Sequence, residues 1–115
     1  MDESLEKALE FSNYMVTLNN QKRILKEEYL ESLTMYQNGG KFTITKEFFS
    51  FICNLHSLGV DKSVVIDDNE NPILIDDLSK FMEDMKIQYV EESYKYLEKY
   101  KKMVDKRSVE SLVDV

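Results

Sequence analysis

From Asp2 to Tyr36 the chain contains neither glycine nor proline, and apolar or aromatic side chains fall at Ala8, Phe11, Met15, Leu18, Leu25, Tyr29 and Tyr36. The spacing alternates between three and four residues, with one heptad position taken by Lys22 and another by Ser32. Such a pattern predicts a single long helix with an apolar seam. At 1.5 Å per residue, a helix of about 35 residues is roughly 50 Å long. A rod of that length cannot bury its own seam, so a partner helix is required. Asn38-Gly39-Gly40 reads as the helix stop, because glycine accepts the left-handed backbone of a C-terminal cap.

The next segment is short and mixed. Lys41 to Thr45 alternates polar and apolar residues and reads as a strand. Thr45 then caps a short helix whose Phe48, Phe51, Ile52, Leu55 and Leu58 share one face. Val64-Val65-Ile66 and Ile73-Leu74-Ile75 flank the polar run from Asp67 to Pro72, which suggests a β-hairpin with a six-residue loop. Asp76 or Asp77 caps a last helix from Leu78 to about Arg107 or beyond. The expected fold is therefore α+β and mostly α: two long helices forming an antiparallel coiled-coil-like hairpin, with a small module of three short strands and one helix between them. We read residues 1–115 as one domain, with the long helix at 1–37, the module at 38–77, and the second long helix and tail at 78–115.

The last helix carries two apolar stripes. One contains Leu78, Met82, Met85, Tyr89, Tyr96, Tyr100 and Met103; the other contains Phe81, Ile87, Val90, Tyr94, Leu97 and Val104. A helix with one neighbour needs one stripe of about 100°. Two stripes call for two neighbours, the first helix for one and a second copy of the chain for the other. The short Phe-rich helix competes for part of the second stripe, although its length of about 20 Å cannot cover all of it. The candidate oligomer interface is thus Phe81, Ile87, Val90, Tyr94, Leu97 and Val104.

Composition narrows the function. The 115 residues hold 22 acidic against 15 basic side chains, a net charge of −7. That surface disfavours general nucleic-acid binding and adhesion to anionic lipid. The charge is uneven, since residues 61–84 are strongly acidic while residues 98–107 are basic. One cysteine cannot form an internal disulfide, no basic and apolar leader opens the chain, and no apolar run approaches the roughly 20 residues of a membrane span. We expect a cytoplasmic protein that does not engage membranes.

No motif calls for a cofactor. Asp67, Asn69 and Asn71 match the first, third and fifth positions of an EF-hand loop, but Pro72 stands where glycine is needed and Leu78 where the bidentate glutamate belongs. Cys53 and His56 could touch one metal from one helix, yet zinc needs three or four ligands and the chain has no other Cys or His. Gly39-Gly40-Lys41 lacks the remaining positions of a phosphate loop. Tyr94, Tyr96 and Tyr100 lie among lysines, as in a base-stacking platform, but their spacing assigns them to the helix stripes. The tail from Ser108 to Val115 has two readings. Val109, Leu112, Val113 and Val115 either continue the seam or form an acidic-hydrophobic peptide that docks on a larger protein.

In layout, a helix, a small β-containing tip and a returning helix resemble prefoldin subunits, although that family has no Phe-rich helix between its strand segments. At the level of sequence, the blocks from Asn38 to Thr45, from Val65 to Asn69 and from Lys106 to Val113 resemble small uncharacterised proteins of marine contractile-tailed phages. That resemblance covers about a fifth of the chain, implies a phage accessory or assembly protein, and carries over no site residue. The expected function is a non-catalytic, oligomeric assembly, scaffold or adaptor protein. The alternatives are a regulator that docks through its C-terminal peptide and, third, a small enzyme.

Overall fold

A computed structural model describes residues 2–113, with side chains described through Lys106. The order is α1 (Glu3–Ser32), β1 (Thr34–Gln37), β2 (Gly40–Thr43), α2 (Lys46–Ser57), β3 (Ser63–Ile66), β4 (Pro72–Ile75) and α3 (Leu78–Val113). The protein is mostly helical, with two long helices and two small antiparallel strand pairs between them. It divides into two compact units. A hairpin unit comprises Leu30–Ser93, and a two-helix unit comprises Met1–Tyr29 with Tyr94–Val115.

The hairpin unit departs from expectation at its start. The first helix ends at Ser32 rather than near residue 37, and Thr34–Gln37 forms β1, paired antiparallel with β2. Asn38 and Gly39 have φ of 52° and 81°, so they are the two-residue turn of a hairpin and not a helix stop. Positive φ at both central turn residues matches the twist of the flanking strands, which is why Asn-Gly favours this connection. The register sets Met35 beside Phe42 with both side chains buried, so the alternation of Thr34-Met35-Tyr36-Gln37 wins over the helical heptad. There are consequently four strands rather than three.

The remaining elements match expectation in kind, but Pro72 opens β4 and leaves a loop of five residues rather than six, and Phe51 and Leu58 of the expected α2 face are 50% and 79% exposed. The Thr45 hydroxyl accepts the Phe48 N–H and caps α2, and β3 pairs with β4 around the loop from Asp67 to Asn71. The Asp77 carboxylate accepts the Lys80 N–H at the start of α3. The core gathers side chains from all four strands, α2 and α3, including Met35, Phe42, Ile52, Val65, Ile75, Leu78 and Met85, together with Leu33 just after α1. At its centre three rings meet: Phe42 and Phe81 edge to face at 5.1 Å, with Phe48 at 5.7 Å and 6.1 Å from them. Gln88 Nε2 donates to the carbonyls of Ser32 and Thr34, satisfying acceptors that the end of α1 leaves open.

In the two-helix unit, α1 and α3 run antiparallel. Tyr29 stacks on Tyr96 with centroids 4.5 Å apart, and the Lys22 ammonium lies 5.8 Å from the centre of the Tyr100 ring. Met15, Leu18, Lys22 and Leu25 are half-buried in heptad spacing, so the seam engages from Met15 onward while Ala8 and Phe11 are exposed. On the α3 side Tyr96, Tyr100 and Met103 are half-buried.

Candidate functional site

The second stripe of α3 divides at its first residue. Phe81 is 1% exposed and locked between Phe42 and Phe48, so it belongs to the core and not to an oligomer interface. The cause is helical geometry: at about 100° per residue Phe81 stands about 120° from Ile87, on the side of Met85, where Phe48 of α2 packs against it. Ile87, Val90, Tyr94 and Leu97 are 45%, 43%, 66% and 44% exposed. By the same rotation these four fall within an arc of about 80° on the side of α3 roughly opposite Met85 and Tyr96. Val104 is half-buried. Val109, Leu112 and Val113 fall within α3, but their side chains, like Val115 altogether, lie outside the described residues.

The acidic loop is committed to holding the two hairpins together. The buried Asp67 carboxylate accepts N–H groups of Lys41, Asn69 and Asn71 at 3.1, 3.0 and 2.8 Å. Asp68 donates its N–H to the Lys41 carbonyl and accepts the Thr43 N–H and hydroxyl. The Asn71 N–H does most to hold the Asp67 carboxyl below its usual range; desolvation opposes it, and the Lys41 and Asn69 N–H groups assist. Backbone N–H groups occupy three of the roughly four acceptor positions of this carboxylate. The loop that suggested calcium is a clasp, in which three residues of an EF-hand-like spacing serve turn geometry instead. Its signal in the sequence was only an abundance of turn-forming residues.

Between the hairpin tips lies an open depression of about 390 Å³, lined by Tyr36, Asn38, Lys41, Asp67, Asn69 and Asn71 among others. Asn38 Nδ2 donates to the Leu74 carbonyl and ties one tip to the other strand pair. Of the ionisable groups lining it, Asp67 is engaged by its three donors, and Lys41 and Tyr36 make no acid–base pair with it. Cys53 and His56 are half-buried on α2, and among the described residues no three His, Cys, Asp or Glu side chains group as a metal site. No feature of these groups indicates catalysis.

Comparison with known proteins gives no match to a family model, a curated protein or a solved structure. The site must be judged on its own geometry. Among the described residues no helix is long and apolar enough to cross a membrane. Large apolar side chains are left in water on both long helices, at Leu5, Leu9, Phe11 and Val16 of α1 and at Ile87, Val90, Tyr94 and Leu97 of α3.

Proposed function

We propose that the protein is a non-catalytic assembly or adaptor protein that acts as an oligomer, with copies meeting through Ile87, Val90, Tyr94 and Leu97 on α3. The observation that carries this reading is their exposure on the face of α3 turned away from its packed side. Ile87, Val90 and Leu97 have a little under half of their surface left to bury, so removing the rest of each from water is worth roughly 1 kcal/mol. Isolated exposed apolar residues are ordinary, but a contiguous set aligned on one helix is the pattern of an interaction surface. The resemblance to small phage proteins sets phage assembly as the proposed setting.

Light scattering on the purified chain at tens of micromolar tests the reading. The wild type should be at least a dimer. Replacing Val90 and Leu97 together by lysine should give a monomer with unchanged helical circular dichroism, because both side chains are already partly solvated. A wild-type monomer would refute the oligomer.

A further inference from the structure

The stripe on α3 extends by one charged residue at each end. Glu83, Ile87, Val90, Tyr94, Leu97 and Lys101 are spaced four, three, four, three and four residues apart, the alternation of a two-helix seam. The series reads the same in reverse. Reversing a helix exchanges the two core positions of the heptad, so an antiparallel neighbour presents a complementary sequence of side chains only if the series has this symmetry.

We infer that a second copy of the chain lies antiparallel along α3, related by a two-fold axis at the level of Glu92. This rests on the reading that copies meet through this stripe, and adds its partner orientation and register. Ile87 then meets Leu97 of the second copy, Val90 meets Tyr94, and Glu83 meets Lys101. Each pair occurs twice, as a closed isologous interface demands. The four apolar positions form the centre and an opposite-charge pair closes each end.

Charge decides the orientation. In a parallel pairing Glu83 would face Glu83 and Lys101 would face Lys101 inside the seam, where like charges are least hydrated and most costly. Antiparallel pairing converts both repulsions into attractions. Glu83 and Lys101 are exposed and available for it. Within one chain the Glu83 carboxylate meets only a surface ammonium, Lys86 at 3.4 Å, a contact easily exchanged. The two Glu91 side chains approach near the axis from an exposed flank, where water screens them, and oppose the arrangement weakly.

Cross-linking reads the register directly. In a Cys53→Ser background, Ile87→Cys and Leu97→Cys variants carrying tags of different mass are treated with a short bis-maleimide, alone and mixed. The mixture should yield the cross-linked heterodimer. Each variant alone should not, because residue 87 and its counterpart are on the order of 15 Å apart along the antiparallel pair. Glu83→Lys and Lys101→Glu should each weaken the dimer about tenfold or more, and the double reversal should restore it. Self-cross-linking of Ile87→Cys would overturn the antiparallel orientation while leaving the oligomer standing. A dimer that gives no cross-link in any arm would overturn both this register and the α3 stripe as the contact. A wild-type monomer in light scattering would remove the oligomer itself, and failure of the double reversal to restore association would overturn the pairing of Glu83 with Lys101.

Discussion

The two units of the molecule solve the burial problem differently. The hairpin unit encloses ten hydrophobic side chains almost completely, and it does so with strands of four residues because α2 and the start of α3 contribute to the same core. The two-helix unit has no fully buried side chain among its described residues. Two helices packed side by side shield only one stripe each, and here the seam residues Met15, Leu18, Leu25, Tyr96 and Tyr100 are half-buried. Leu5, Leu9, Val16 and Leu97 remain exposed there. The contrast is therefore between a unit with a closed core and a unit whose apolar side chains are at most half-buried.

The sharpest test of that contrast is to truncate one side chain of α3 in each environment. Phe81→Ala removes a fully buried ring from a three-ring cluster and should cost about 3 to 5 kcal/mol. Leu97→Ala removes a half-solvated side chain and should cost the isolated chain less than about 1 kcal/mol, while weakening association. Urea denaturation at low protein concentration gives the first comparison, and light scattering gives the second. Equal losses of stability would mean that the two units are not energetically distinct.

How far the sequence revealed this division depends on the element. The caps at Thr45 and Asp77, the strand pair around Asp67–Asn71 and the two long helices were legible because each follows from local chemistry. The end of α1 was not, since the heptad spacing from Tyr29 to Tyr36 persists by coincidence into a segment that also alternates like a strand. Asn38-Gly39 carried the deciding signal, and its hairpin meaning outweighs its use as a helix cap once Met35 and Phe42 can pair. Phe81 shows a second limit. The expected stripe joined residues that helical spacing keeps apart: Phe81 and Ile87 are six residues, about 120°, apart around the helix, so Phe81 lies on the Met85 side that packs in the core.

Within the hairpin unit, tightness should show at Gly40. A Cβ there would lie 2.8 Å from Ile73 Cγ1 and from the Phe42 ring, so the two strand pairs approach too closely for any side chain. Gly40→Ala should destabilise by about 1 to 3 kcal/mol, the usual cost of overpacking. Gly39 meets nothing within 4 Å but has φ of 81°, and Gly39→Ala should cost about 1 kcal/mol through backbone strain alone. If Gly39→Ala proved the more damaging, turn geometry rather than close packing would govern this hairpin.

Acid should also act through the hairpin unit. Asp67 titrates below its ordinary value near 3.8 because folding supplies three backbone donors to the charged form. A lowered carboxyl pKa contributes stability that is complete above the unfolded value and is lost as pH falls through the folded one. Asp67→Asn should therefore lower the melting temperature at pH 7 and flatten its decline below about pH 4. Parallel acid limbs for the two proteins would show that the clasp adds no proton-linked stability.

The smallest effect, and the one that probes the two-helix unit most finely, concerns Lys22. It occupies a seam position between Leu18 and Leu25, half-buried, with its ammonium 5.8 Å from the centre of Tyr100. An exposed cation over a ring contributes about 0.5 to 1 kcal/mol, whereas a leucine at the same place would gain burial of the order of 1 to 2 kcal/mol. The balance favours Lys22→Leu by less than about 1 kcal/mol. A lone lysine in an apolar seam fixes register at some expense of stability, because alternative alignments would bury its charge without the Tyr100 face. Lys22→Leu should thus raise the melting temperature slightly while broadening the distribution of oligomers seen by sedimentation velocity. A variant that is both more stable and equally monodisperse would show that Tyr29 on Tyr96 sets the alignment of α1 and α3 without help from Lys22.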